Sequence, residues 1–435
     1  MSRWPGRSRR TALALAAHGW SARRPRRVPP VPLALLALLA AGATPAPSPF
    51  PTPAHLAGQS RTRVLAEPSS TAVGLALKIN AGSGWETQDE DGLSLLAGLA
   101  LLEEIRPQLA ALGVMAAVEC DRNAITVTAL LPRSTWRAGA GLLLDAFFQP
   151  APGAEAVERA RASLLRTLAM EEGNPAHDLR HALQQAHFGR TSRWGRAGCG
   201  RMAAVWEADP PAVARIARLR FVPSRAAAAM AGPVDTAAAS RLLRDVIPDT
   251  DLALRLPSAP GRPSARRLRQ TRNTVTTFLA HAFPVRHGDP VDHEALRLLA
   301  FLIREAAEPG PQNPDVYDVE ADIERHGDET ILAIYMVTDP ATSARWIERV
   351  NDRVRTTAAE PLSDAAFADL LRRYRGARLL ALSSPEARAY EAVYQLFFDG
   401  RYRPPEELID ELSPERLRQA ARALGQPSIA LIEPD

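Results

Sequence analysis

Residues 72–102 hold four segments in series: Ala72-Val-Gly-Leu-Ala-Leu-Lys-Ile-Asn80, Ala81-Gly-Ser-Gly-Trp-Glu86, Asp89-Glu-Asp-Gly92 and Leu93-Ser-Leu-Leu-Ala-Gly-Leu-Ala-Leu-Leu102. The first is a short apolar run that stops at a Gly-Ser pair, which reads as a buried strand closing in a tight turn. An acidic loop follows. Gly92 then precedes an apolar stretch that continues to Leu112, long enough for a helix.

The same order recurs further along the chain. After the first helix, Met115–Leu131 reads as a hairpin turning at Asp121–Asn123, and 133–148 as a helix. In the later copy, Thr274–Val285 is a strand and Val291–Ala307 a helix. Val316–Val337 is a hairpin turning at His326–Asp328, and Pro340–Thr357 a helix. Long helical stretches come next: Ala154–Glu172 and Ala176–Phe188 in the first copy, Asp364–Phe397 in the second. Each copy closes on a short apolar strand, Ala226–Val234 and Ser428–Ile432. Matching strands start about 202 to 205 residues apart, and so constant an offset argues for an internal duplication. Hairpins interleaved with helix pairs predict an α+β fold of two tandem homologous domains, each a mostly antiparallel sheet with helices packed on one face.

Composition sets the expected boundaries. Pro45–Pro53 is rich in Pro, Ser and Ala, and Pro257–Arg267 in Pro, Ser and Arg. The expected plan is a leader over 1–43, a linker over 44–59, a first domain over 60–256, a linker over 257–268 and a second domain over 269–435.

These residues resemble the insulinase, pitrilysin and mitochondrial processing peptidase family. There, an apolar strand ends in a Gly-Ser turn and an acidic residue, and a Gly then opens the helix that carries the inverted zinc motif HxxEH. The likeness continues through Leu112-Gly113, Ala116–Arg122, Ile125–Thr128 and Leu142–Pro150. It extends to Phe221–Arg225 with Ala229–Asp235, and to Ile331–Thr338, covering roughly residues 60–435. Placing Gly92 on the family's helix-opening Gly puts Leu95, Gly98 and Leu99 where His, Glu and His should stand. The family's third ligand, a Glu a few residues before an acidic-Asn-Pro segment, falls at Thr167 or a neighbour, upstream of Glu171-Glu-Gly-Asn-Pro175. A catalytic zinc needs three protein ligands and a base to activate water. None of the four groups is present, and no His occurs between His55 and His177 to supply one by realignment. No metal ligand and no catalytic residue is therefore expected in this chain.

The family's second domain often supplies an Arg and a Tyr that reach the substrate carbonyl near a partner's zinc. Tyr317 stands where that Tyr would be. Gly310 occupies the Arg position, with Arg304 the nearest upstream candidate. The alternative for Tyr317 is an ordinary aromatic of a half-buried strand. A rival metal constellation is His177, His181 and His187, whose spacing equals that of HExxHxxGxxH proteases with Asp178 in place of the Glu. Gln184 replaces the Gly that turns the chain toward the third His, and a polar helical face is the blander reading. His281, His287 and His293, six residues apart, lack ligand geometry, and Glu103-Glu104 and Glu406-Glu407 read as solvated helix faces.

The charge is uneven. The chain is formally +4, but eight arginines lie before residue 28, and without them the rest is mildly acidic. No basic stripe remains for nucleic acid. Arg23–Arg27, the apolar run Val31–Ala43 and Ala41-Gly42-Ala43 follow the order of a secretory signal. The apolar run is short for a bilayer span, no stable membrane anchor is expected, and export to a bacterial periplasm is the favoured reading over a mitochondrial transit peptide. Cys120 and Cys199, the only cysteines, match no zinc or redox spacing, and their pairing is left open.

Within the family, two similar halves close on an extended peptide, one carrying zinc and the other contributing substrate contacts. The resemblance implies a catalytically silent subunit with no cofactor of its own, zinc being expected only in a paralogous partner. Unfolded or extended peptides are the expected ligands, held by strand addition along Met115, Ala116, Ala117, Val118 and Glu119. A scaffold or peptide-binding protein that needs no active partner is the alternative from another class.

Overall fold

The computed structural model describes residues 60–196, 198, 200–249, 256, 258, 266–285 and 293–435. The expected leader, the linker over 44–59, most of the second linker, Cys199 and His287 lie outside the described residues.

The first half runs β1 (Thr62–Ala66), β2 (Ala72–Ile79), α1 (Leu93–Ala111), β3 (Met115–Cys120), β4 (Ile125–Pro132), α2 (Trp136–Phe148), α3 (Ala154–Glu171), α4 (Pro175–Phe188), α5 (Met202–Glu207), α6 (Pro210–Arg220), β5 (Ala226–Gly232) and α7 (Thr236–Val246). The second runs β6 (Arg267–Arg272), β7 (Thr277–Pro284), α8 (His293–Ala307), β8 (Val316–His326), β9 (Glu329–Thr338), α9 (Ser343–Ala359), α10 (Asp364–Ala381), α11 (Pro385–Asp399), α12 (Pro405–Asp410), α13 (Pro414–Ala423) and β10 (Ser428–Pro434). The two five-stranded sheets have the same topology, β1-β5-β2-β4-β3 and β6-β10-β7-β9-β8. In each, only the outer first strand pairs in parallel, β1 with β5 and β6 with β10. The duplication is thus complete strand by strand. The stretch 364–397 is two helices rather than one, because Ser384 caps and Pro385 opens a new helix.

Each sheet buries one face under helices of its own half. Val73, Leu75, Leu77 and Ile79 of β2 meet Leu96, Leu101 and Leu143 in one cluster. Leu279, Leu332 and Ile334 meet Leu299, Ile347 and Leu417 in another. The opposite faces carry small residues. Ala227, Ala229 and Ala231 of β5, with Ala76 of β2, pack on Ala389, Ala392 and Val393 of α11, a helix of the second half. Reciprocally, Leu179, Ala182 and Leu183 of α4 pack on Ala280, Ala282, Ala430 and Ile432 of the second sheet. The halves therefore exchange helices. Run after run of alanine makes this possible, since a short side chain lets a helix lie close to a pleated surface.

One buried network fixes the second half's helices. Arg297 of α8 lies 2.8 Å from Glu391 and 3.3 Å from Glu294, and Arg378 of α10 reaches both carboxylates. Burial alone would raise the Glu391 carboxyl, but Arg297 and Arg378 outweigh it and hold it down at about 2. A depressed carboxylate adds stability above its unfolded value, roughly 4.3, and loses it as pH falls through the folded one. The stability gap between wild type and Glu391→Gln should be widest near neutrality and close between about pH 4.5 and pH 2. Urea midpoints at stepped pH measure it, and a gap independent of pH would refute the assignment.

Candidate functional site

The N-terminus of α1 is built from the acidic loop. Gly92 takes φ 95°, a left-handed conformation that favours glycine. Glu86 accepts hydrogen bonds from the Gly92 and Ser94 amides at 2.9 and 2.7 Å, satisfying donors that a helix start leaves open. Burial raises its pKa, against the pull of those amides and of Arg220. Arg220 of α6 bonds Ser94 Oγ at 2.7 Å and Glu90 at 2.6 Å, while Asp91 pairs with Arg196 and Arg201. The loop is a clamp on the helix end, and Glu86, Glu90 and Asp91 are committed to that task.

One turn into α1 the expected zinc positions are packed shut. Leu95 is 8% exposed, within the first core, and Leu99 is packed against it. A Cβ added at Gly98 would lie 2.9 Å from Cγ1 of Val118 on β3 and 3.4 Å from Cγ2 of Ile125 on β4. The helix touches the sheet where the family's base would project. Thr167 is exposed on α3 and donates to the Ser163 carbonyl at 3.3 Å. Val118 is the residue a motif search passes over. Its alternation with exposed neighbours on an edge strand is the signal that it faces inward.

The histidines of the rival constellation do not converge. Helix α4 runs without a break through Gln184, so His187 lies about 15 Å along the axis from His177. His177 is 3.5 Å from Glu171, and His181 contacts the Gly195 carbonyl and Gln185. His187 is buried, 2.9 Å from Glu329 and 3.3 Å from Ser428 Oγ, both in the second half. Among the described residues no group of three His, Cys, Asp or Glu side chains is arranged to hold a metal ion. His281 is enclosed on β7, where burial and Arg267 lower its pKa to about 3.

Strands β3 and β8 are outer strands of their sheets. Along β3, Met115, Ala117 and Glu119 are exposed while Ala116, Val118 and Cys120 turn toward the core. Tyr317 is 54% exposed at the start of β8, where the register with β9 shifts between Val316 and Asp318. Arg304 lies on α8 with its guanidinium 5.4 Å from the Phe301 ring, and Gly310 bridges Asn313 in the loop before β8.

The inner ends of the two hairpins meet. Asn123 donates to the Arg325 carbonyl and accepts from the Gly327 amide, each at 2.7 Å. Asp121 shapes that tip by accepting from the Asn123 and Ala124 amides. Its other oxygen takes a 2.7 Å bond from Lys78, the chain's only lysine, 1% exposed and 5.5 Å from the Phe397 ring. Burial would lower the Lys78 pKa, but Asp121 outweighs it and the amine stays charged. A lone lysine in an apolar strand was a readable hint of a buried ion pair. A groove of about 410 Å³ opens beside these tips, bordered by His177, His181, Asp322 and Tyr390.

Solved structures share this architecture. A peptidase M16 inactive domain from Pseudomonas fluorescens aligns at TM-score 0.71 and 16% identity, over 86% of this chain and 96% of that one. The fold is that of the M16 peptidases. A chain of Complex III2 from Candida albicans, with Inz-5 bound, aligns at TM-score 0.71 and 13% identity, over 86% and 93%. A protease from Helicobacter pylori does so at TM-score 0.70 and 12% identity, over 85% and 96%. No protein-family model and no curated sequence matches the chain. At these identities the likeness carries the M16 fold and leaves the chemistry to the residues. Among the described residues no helix is long and apolar enough to cross a membrane.

Proposed function

We propose that this chain is a catalytically silent M16-type subunit, exported to a bacterial periplasm, that helps a zinc-containing paralogue bind and cleave extended peptides. The observation that carries the reading is Val118 against Gly98: the space the base would need is occupied by core. The outer strands β3 and β8 support the peptide half of the reading, since an unpaired strand edge can add a main-chain ladder to any unfolded segment. Likeness to a domain described as inactive is consistent with silence. The chain needs no zinc or other cofactor of its own in this role. Mixing it with an HxxEH paralogue from the same organism should raise that partner's peptide turnover. A partner fully active alone, with no association by sedimentation, defeats the reading.

A scaffold role without any active partner is the second reading, favoured by Gly310 standing where the substrate-directed Arg belongs and by Arg304 lying over Phe301. Tyr317→Phe separates the two. If Tyr317 donates to the substrate carbonyl as charge develops, its loss should lower turnover of the mixed enzyme roughly ten- to a hundred-fold with little change in peptide affinity. The ring is exposed, so thermal stability should hardly move. Unchanged turnover with association intact makes Tyr317 a strand residue only.

A further inference from the structure

The second half holds a cavity of about 600 Å³ between α8, α11 and the α12–α13 pair, within the usual range for small-molecule sites. Its floor is electrically closed. Glu294 and Glu391 face Arg297 and Arg378, two charges of each sign, and Glu294 also takes the Tyr374 hydroxyl at 2.5 Å. Such a floor neither attracts nor repels an ion strongly.

The rim is unbalanced. Arg401, Arg403 and Arg416 line it with Glu411, while the other carboxylate there, Asp399, is paired with Arg325 at 2.8 Å. Arg403 and Arg416 both bond Glu411, which is 43% exposed, and Arg401 has no ion pair among the described residues. Solvent screens exposed ion pairs of this kind, so an incoming anion can displace Glu411 at little cost. On the wall, His293 Nε2 is buried without a hydrogen-bond partner. Burial, with Arg297, Arg325 and Arg378 nearby, holds this imidazole well below its ordinary pKa, and a neutral ring still offers one N–H.

We propose that this cavity binds a small polyanion, a molecule with two or more carboxylate or phosphate groups, gripped by Arg401, Arg403 and Arg416 and bonded by His293. Guanidinium forks match the planar spacing of such oxygens and bind them in pairs. The site lies wholly in the second half and does not depend on the proposed peptide role.

Titration calorimetry on the purified chain tests it, with pyrophosphate and citrate as separate probes at ionic strength matched by sodium chloride. At least one should give a saturable one-to-one isotherm, and which one does so tells phosphate from carboxylate. Arg401→Ala with Arg416→Ala should weaken it roughly tenfold or more, as lost charged hydrogen bonds do. Glu411→Gln keeps every arginine and removes the competitor, so it should tighten binding about two- to fivefold. The gain variant stands independently of whether the loss variant folds. No saturable heat with either probe, or an affinity unmoved or weakened in Glu411→Gln, overturns the proposal.

Discussion

A chain carrying Leu95→His, Gly98→Glu and Leu99→His together should hold no stoichiometric zinc and lose about 4 kcal/mol or more of stability. Two costs add. The Cβ introduced by Gly98→Glu would start 2.9 Å from Val118 Cγ1, and overpacking of that kind typically costs about 1–3 kcal/mol. The new carboxylate would then enter a space walled by Val118, Ile125 and Phe221, none of which can pair with a buried charge. Leu95→His replaces a residue 8% exposed in the first core, removing apolar contact and adding unpartnered ring nitrogens. No third ligand completes the set, because position 167 carries a threonine bonded to its own helix. Urea denaturation gives the stability, and elemental analysis after exhaustive dialysis gives the metal. The wild-type chain should also fall short of one zinc per molecule. A variant as stable as wild type that keeps one zinc through dialysis would mean that the pocket survives behind Val118.

Why the scaffold could be read from sequence and the filled site only in part follows from where the information lies. Gly92 before an apolar run marks the start of a helix, and the structure adds that it sits at φ 95°, in the left-handed region. The hairpins and closing strands are local, and their patterns survive in both copies. Strands β1 and β6 escaped that reading. Thr62–Ala66 is five residues long, and Arg267–Arg272 carries three arginines, so neither shows the apolar signature of a buried strand. The missing zinc ligands are visible as letters, but the plug that replaces them is not. Val118 is one valine of an outer strand, and only the third dimension brings it against Gly98. The helix exchange was likewise hidden, because nothing in the alternation of α4 or α11 says which sheet each will cover. The alanines of β5 were the nearest clue, as an all-small strand face asks for a close-packed partner.

Gly74→Val should be strongly destabilising, with an expected loss of about 3 kcal/mol and a weakened joint between the halves. Gly74 lies on the face of β2 that α11 covers, and the first residues of that helix sit directly above it. A Cβ there would be 2.3 Å from the Pro385 carbonyl oxygen and 2.4 Å from the Glu386 amide nitrogen. Both neighbours are backbone, so relief requires moving the helix rather than turning a side chain. Moving α11 lifts Ala389, Ala392 and Val393 from Ala227, Ala229 and Ala231, and carries Phe397 away from Lys78. Lys78 would then lose part of its surroundings while still tied to Asp121, whose turn holds Asn123 against Arg325 and Gly327. The effect should therefore appear at a distance, as faster amide exchange in both hairpin tips as well as in β2. Gly376→Ala is the matched control: it lies in exposed, open space inside α10, and should stabilise by about 0.5–1 kcal/mol through helix propensity alone. If Gly74→Val unfolds at the wild-type urea midpoint, α11 is not seated on the first sheet, and the halves are joined by something other than exchanged helices.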